Sequence, residues 1–138
     1  MKNLAFHNIF MFTSFFIVFS LLPIKDVNAQ RYAGSEWFKH IIAGDARKLS
    51  AWLEPFVALE LPTGSAKYSR QQATAVLVGF FQDNAPTRIE IEKTGTTGNS
   101  TDFYIGTYHT NTTEFRLYLL ITKTGGDEKI HSLSITRK

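Results

Sequence analysis

Apolar and polar residues alternate along the C-terminal half of the chain. The alternating segments are RIEIEK (88–93), DFYIGTYH (102–109), EFRLYLLITK (114–123) and KIHSLSIT (129–136). A period of two residues is typical of β-strands that bury one face. Gly, Asn and Thr separate the segments, which favours short turns and therefore an antiparallel meander of four strands.

Helical spacing replaces this alternation in the first part of the chain. A first predicted helix follows Ser35 and ends at Gly44, with its apolar stripe at Trp37, Phe38, Ile41 and Ile42. A second is predicted to start at an Asp45 N-cap and to end at Pro55, with its apolar stripe at Ala46, Leu49, Trp52 and Leu53. Both assignments rest on apolar recurrence every three to four residues.

A short strand and a third helix come between these two parts. The segment FVALEL (56–61) alternates, and Pro62-Thr63-Gly64 follows it as a turn. Ser69 and Gln72 have the spacing of a capping box, which predicts a helix start. The helix carries apolar residues at Ala73, Val76, Leu77, Phe80 and Phe81 and is predicted to end near Asn84 and Pro86.

The order of the predicted elements is α-α-β-α-β-β-β-β. Helices followed by a run of strands indicate an α+β fold, not a parallel α/β fold. We therefore predict three N-terminal helices packed on an antiparallel sheet in a single domain, residues 30–138.

The register of the two central strands determines which residues form the second face of the sheet. The apolar residues of both strands lie on one face only if Ile105 is opposite Leu119. That pairing requires a connecting loop with an odd number of residues, 111–113. The second face then consists of Tyr104, Tyr108, Arg116, Tyr118 and Leu120. Tyr, Leu and Arg together are typical of protein interfaces, and self-association is the expected use, although exposed strand Tyr also reflects β-propensity.

The sequence of the last hairpin predicts an irregular strand pairing. Gly125-Gly126 favours a two-residue turn that pairs Ile121 with Ile130. Leu133 and Ile135 can return to the buried face only if one residue bulges out, so we predict a β-bulge near His131-Ser132.

The first 29 residues have the pattern of a signal peptide. Lys2 precedes an apolar run that is densest from Ile9 to Leu22, Pro23 follows, and Val27-Asn28-Ala29 supplies small residues for cleavage after Ala29. An uncleaved membrane anchor is the alternative, because the run nearly reaches the ~20 residues of a span. We expect an exported protein that is periplasmic or secreted, with no membrane attachment after cleavage.

Composition excludes several classes of function. The chain contains no Cys, which excludes thiol catalysis, zinc–thiolate sites and lipoprotein anchoring. Without Lys2, Lys25 and Asp26, the 15 basic and 12 acidic residues become 13 and 11, a net charge of +2. The basic residues are scattered, so no nucleic-acid partner is expected.

The arrangement resembles the nuclear transport factor 2-like superfamily, with its cone-shaped cystatin-like fold. More narrowly, it resembles a domain-of-unknown-function family of short exported bacterial proteins. The similar segments are AGDARKLSAWL, YSRQQATAVLVGFF, YIGTY with FRLYLLI, and IHSLSI, which together cover nearly all of residues 30–138. The resemblance implies a curved sheet around a pocket and no established activity. Ketosteroid isomerase-like relatives use an Asp base with a Tyr and a second acid; neither Asp83 nor Asp102 is predicted to face inward.

The strongest candidates for chemistry are aromatic and histidine residues. The predicted cone pocket consists of Trp52, Tyr68, Phe81, Phe103, Thr107 and His109. His109 could act as a general base, or it could simply be a solvent-exposed residue at the end of a hairpin. His109 and His131 are predicted to lie roughly 16 Å apart, too far to share a metal.

Three functions remain open from the sequence, and no cofactor or metal is expected for any of them. The first is a non-enzymatic homodimeric module that binds a small apolar ligand or a protein partner. The alternative is an isomerase- or hydrolase-like enzyme that uses His109 in the cone pocket. The third is a purely structural homodimer.

Overall fold

The structure, a computed structural model, describes Tyr32 and residues 34–98 and 100–138. The predicted signal peptide, residues 1–29, lies outside the described residues. Among those residues, no helix is long and apolar enough to span a bilayer.

Three helices and six strands follow one another in the described part of the chain. The helical elements are α1 (Glu36–Ile42), α2 (Ala46–Leu49) with a 3-10 turn (Ser50–Trp52), and α3 (Arg70–Asp83). The strands are β1 (Leu53–Leu61), β2 (Gly64–Ser69), β3 (Arg88–Thr97), β4 (Thr101–His109), β5 (Glu114–Thr124) and β6 (Asp127–Arg137). The predicted α+β class and the three helices packed on a curved sheet are confirmed.

Side-chain caps begin two of the helices as predicted. Lys48 N donates to the Asp45 carboxylate at the start of α2. At the start of α3, Gln72 N donates to Ser69 Oγ while Ser69 N donates to Gln72 Oε1, which completes the capping box. These bonds satisfy amide groups that the helices themselves leave without partners.

The sheet is mixed, which corrects the antiparallel prediction. Its strand order is β2-β1-β6-β5-β4-β3, and β1 pairs with β6 in parallel, whereas the other neighbours are antiparallel. Strands β2 to β5 and helix α3 separate β1 from β6 along the chain. Local patterns do not encode such a long-range pairing.

The boundaries around β1 and β2 also differ from prediction. The second helix ends at Leu49, and β1 begins at Leu53 and passes through Pro55, where the β1–β6 register shifts. Strand β2, which was not predicted, is GSAKYS; its first four residues are exposed. It lacks apolar alternation because it is an edge strand held mainly by backbone pairing to β1.

The predicted meander from β3 to β6 and its final irregularity are confirmed. Ile121 pairs with Ile130 and Leu120 with Ser132, so His131 is the extra residue of the bulge. Gly125 and Gly126 have φ of 59° and 89°, the left-handed conformation that their two-residue turn requires.

Helices α1 and α3 pack against one face of the sheet, the inner face. The core combines inward residues of β1, β4, β5 and β6 with the buried stripes of the helices. It includes Trp37, Ile41, Leu49, Leu77, Leu117, Leu119 and Leu133, all at most 1% exposed.

Candidate functional site

The register between β4 and β5 places different residues on the two faces from those predicted. Tyr104 pairs with Leu119 and Ile105 with Tyr118, one position away from the predicted register. The connecting loop has four residues, 110–113, because His109 pairs with Glu114. Thr110 stabilises this loop, since its hydroxyl accepts hydrogen bonds from the backbone N–H groups at 112 and 113. With an even number of loop residues, each residue of β4 points to the opposite side of the sheet from the one it would have with an odd number.

This shift makes the predicted interface wrong at two of its five positions. Tyr104 is 5% exposed and Tyr108 is fully buried, both on the inner face. The other three residues, Arg116, Tyr118 and Leu120, point to the opposite side, which we call the outer face. Aromatic rings fit a buried strand as well as an exposed one, so the alternation of β4 left its facing open.

The six predicted pocket residues do not meet in one cavity. Phe103, Thr107 and His109 lie on the outer face, opposite to the predicted concave position. Phe81 is a buried residue of α3 itself, whereas Trp52 and Tyr68 are half-buried against the edge of the core.

An apolar patch occupies the centre of the outer face. It consists of Phe103, Ile105, Tyr118 and Leu120, which we call the outer patch. Phe103 pairs with Leu120 and Ile105 with Tyr118, so the four side chains form two adjacent rows. All four are half-buried, because their strand neighbours cover part of each side chain.

Gly95 of β3 supports one end of this patch. A Cβ atom at Gly95 would lie 2.7 Å from Cε1 of Phe103, so the Phe103 ring lies directly against the glycine. The glycine therefore allows the ring to pack closely against β3.

Polar side chains surround the outer patch. Thr107 is only 1% exposed, and its hydroxyl donates to Glu92 Oε1 at 2.6 Å and accepts from Lys138 Nζ at 3.2 Å. Arg116 is exposed beside it, and Ser134 Oγ donates to Glu60 Oε2 at 2.8 Å on the other side. The rim thus carries charges of both signs.

His109 lies at the edge of the same face, between two carboxylates. Its Nδ1 is 3.1 Å from Glu114 Oε1, and its Nε2 is 3.3 Å from Glu90 Oε2. Arg88 is 3.0 Å from Glu90, which extends the charged cluster. The imidazole is 13% exposed, but the Glu90 and Glu114 side chains are 49% and 53% exposed, so the cluster is open to solvent.

Aromatic residues fill the inner face beside α1. Trp37 lies 5.1 Å from Tyr104 and 5.8 Å from Phe38, measured between ring centroids. Trp37 Nε1 donates to Glu128 Oε2 at 2.8 Å, which satisfies the indole in the core.

The buried carboxylate of Asp102 also faces inward, which corrects the predicted position. It is 7% exposed, lies 2.6 Å from Lys123 Nζ and accepts from Thr96 Oγ1 at 2.8 Å. The sequence around Asp102, at the start of β4, does not indicate to which side of the sheet its side chain points, because only the strand register determines that side. The ion pair with Lys123 compensates for the burial of the Asp102 carboxylate.

Tyr108 closes the other end of the inner face. Its hydroxyl donates to the carbonyl oxygen of Asn84 at 2.5 Å, and its ring contacts Phe80 and Phe115. Burial raises the pKa of the Tyr108 hydroxyl because the phenolate would lose its hydration. The hydroxyl therefore stays neutral at physiological pH.

The described part of the chain contains no candidate metal site. Within residues 34–98 and 100–138, no group of three or more His, Asp or Glu side chains is arranged as a metal site. His109 and His131 bind different carboxylates; His131 Nδ1 is 2.8 Å from Glu54 Oε2.

Comparison with known proteins identifies the family of this chain. The family model "Domain of unknown function (DUF4783)" matches residues 35–136. The chain belongs to the DUF4783 family. No curated protein matches it.

Solved structures with this fold include other members of DUF4783. A DUF4783 protein from Bacteroides ovatus is 25% identical, with a TM-score of 0.66 over 72% of this chain and 90% of its own. One from Bacteroides uniformis is 20% identical, with a TM-score of 0.66 over 72% and 92%. A domain of unknown function with a cystatin-like fold from Nostoc punctiforme is 16% identical, with a TM-score of 0.61 over 82% and 80%. The family match confirms the predicted resemblance to a domain-of-unknown-function family, and the similarity to the Nostoc punctiforme protein confirms the predicted cystatin-like fold.

Proposed function

We propose that this DUF4783 protein is an exported, non-enzymatic binding module that associates with a second copy of itself through the outer face. The observation that carries the proposal is the outer patch: four apolar side chains at the centre of a sheet face whose opposite side holds the core. Contiguous apolar surface with a polar rim is typical of interaction sites.

The charges of the rim favour a second copy as the partner. Arg116 lies near one end of the outer patch. Glu60 lies to one side of it, because Glu60 pairs with Ser134, which pairs in turn with Tyr118. In a two-fold dimer each patch contacts its equivalent, so a rim with both signs can pair with itself. Aromatic anchors such as Tyr118 at the centre fit the usual anatomy of such interfaces.

The surroundings of His109 favour binding over catalysis. General-base catalysis is most effective where a site excludes water and holds the substrate close to the base. His109 lies on the outer rim, and its two carboxylate partners are about half exposed. The enzymatic alternative placed His109 inside the cone, where the structure has Tyr104 and Tyr108 instead.

The dimer is tested with a matched pair of isoleucine variants. Ile105→Glu places a carboxylate in the outer patch, and Ile42→Glu makes the same change on α1, on the other side of the molecule, where Ile42 is 40% exposed. We expect the wild type and Ile42→Glu to sediment as dimers. Ile105→Glu should weaken dimerisation about a hundredfold, because the charge enters the interface twice. Equal sedimentation of Ile105→Glu and the wild type, or a monomeric wild type, would refute the interface.

Export is tested by intact mass. The apolar run and the small residues at Val27 and Ala29 support removal of residues 1–29. Protein isolated from its own host should have the mass of a chain that starts at Gln30. A retained N-terminus in the membrane fraction would support the anchor alternative instead.

A further inference from the structure

The groove between α2 and α3 combines two arginines with an apolar wall. It is a groove open to solvent with a volume of about 590 Å³, and most of its lining surface is apolar. Arg47 reaches it from α2 and Arg70 from α3, while Ala75 and Val78 contribute to its wall. Its volume falls within the roughly 300–1,000 Å³ that small-molecule sites occupy.

Neither arginine has an acidic partner among the described residues. Arg70 Nε donates to the carbonyl oxygen of Leu53 at 2.9 Å. This bond fixes the position of the guanidinium group and leaves its two terminal nitrogens available to bind a ligand. Arg47 is exposed and forms no ion pair within the described part of the chain. The first turn of α3 contains no Asp or Glu that could supply a counter-charge.

We propose that this groove binds an amphipathic carboxylate, such as a medium-chain fatty acid. The guanidinium groups of Arg47 and Arg70 bind the carboxylate, since Arg and carboxylate match in geometry and charge. The apolar chain of the ligand lies along Ala75 and Val78, which line the same groove on α3. Burial of that chain adds a favourable hydrophobic contribution that a short carboxylate such as acetate cannot obtain.

The groove is separate from the outer face, so this inference goes beyond the proposed function. Helices α2 and α3 lie on the side of the sheet opposite to the outer patch. Ligand binding in the groove and self-association through the patch can therefore be tested independently.

Calorimetric titration with sodium octanoate tests the site on the protein as its host produces it. We expect saturable binding of one octanoate per chain. Octanamide, which has the chain but no charge, should bind at least about tenfold more weakly, and acetate should not bind measurably.

Two variants and one control locate the site. Arg47→Gln should weaken octanoate binding about tenfold, and the fold should tolerate it because the Arg47 side chain has no ion-pair partner among the described residues. Ala75→Glu places a carboxylate in the wall at an exposed helical position, where Glu is well tolerated, and should abolish binding. Arg137→Gln makes the same charge change at the exposed end of β6, away from both the groove and the outer patch, and should leave binding unchanged.

Several results would overturn the proposal. Absence of octanoate binding would do so directly. Equal binding of octanoate and octanamide would show that the arginines do not recognise the carboxylate. Equal effects of Arg47→Gln and Arg137→Gln would place the site elsewhere.

Discussion

The two faces of strand β4 carry similar residues in very different environments. Tyr104 and Tyr108 point to the inner face, where the helices bury them, whereas Phe103 and Ile105 point to the outer face and remain half-buried. Both pairs are apolar and both suit a strand. Hydrophobicity alone therefore does not decide which face of this strand becomes the core.

The difference lies in what each face packs against. Tyr104 meets Trp37 of α1, and Tyr108 donates its hydroxyl to Asn84 just after α3. The outer pair meets other strands, through Tyr118 and Leu120. Substitutions on the inner face should therefore reduce the free energy of unfolding, and substitutions on the outer face should mainly change association.

The largest expected difference is between Tyr104→Glu and Tyr118→Glu. A carboxylate at Tyr104 would be buried and would remove an aromatic ring from the core, at a cost of about 4 kcal/mol or more. Tyr118→Glu should cost about 1 kcal/mol or less. Urea unfolding followed by tryptophan fluorescence compares the two. Similar midpoints would contradict the assigned register.

Two glycines provide the next contrast. A Cβ at Gly106 would lie 2.0 Å from the carbonyl oxygen of Glu90, a backbone atom of β3. We expect Gly106→Ala to cost about 2–3 kcal/mol, because β3 and β4 would have to separate. Gly95→Ala meets only the tip of the Phe103 ring and should cost under about 1 kcal/mol. Thermal unfolding of both variants provides the measurement, and a reversed order would contradict the packing described for β3.

The two buried polar residues among those described offer a smaller contrast. Asp102→Ala removes the ion pair with Lys123 and should cost about 2 kcal/mol. Thr107→Val keeps the shape of the side chain on the outer face, and its partners Glu92 and Lys138 are exposed, so about 0.5–1 kcal/mol is expected. Urea unfolding at neutral pH measures both; a larger loss for Thr107→Val would show that the outer network matters more than the inner ion pair.

The Tyr108 hydroxyl is expected to make a small contribution to stability that depends on pH. Tyr108→Phe should cost about 1 kcal/mol at neutral pH, because the Asn84 carbonyl loses its donor. Burial raises the folded-state pKa above that of the unfolded chain, so the stabilisation is complete below about pH 10 and decreases as the pH rises above it. The free energy of unfolding, measured from about pH 8 to about pH 11, should fall less steeply for the variant. Parallel curves would show that Tyr108 does not contribute to the alkaline loss.

Local sequence chemistry predicted a large part of this fold. The Ser69–Gln72 capping box, the Gly125-Gly126 turn and the bulge at His131 were all confirmed. Each depends on residues that are close along the chain or directly paired across one turn. Such interactions leave a readable pattern.

The candidate site was harder to predict because the length of one loop determines on which side of the sheet the side chains of β4 lie. The β4–β5 loop includes Thr110 and therefore has four residues, and this single position exchanges the two faces of β4. Tyr104 and Tyr108 consequently moved from the predicted interface to the core, while Phe103, Thr107 and His109 moved to the outer face.

Periodicity, caps and turns were sufficient to establish the helices, the four-strand meander and the α+β class, because these signals are local properties of the chain. The parallel pairing of β1 with β6, the addition of β2 at the edge and the burial of Tyr104 and Tyr108 became apparent only in the folded molecule. These features depend on contacts between segments that are distant in sequence. A strand with apolar residues on both sides acquires its inner face from the helices that pack against it.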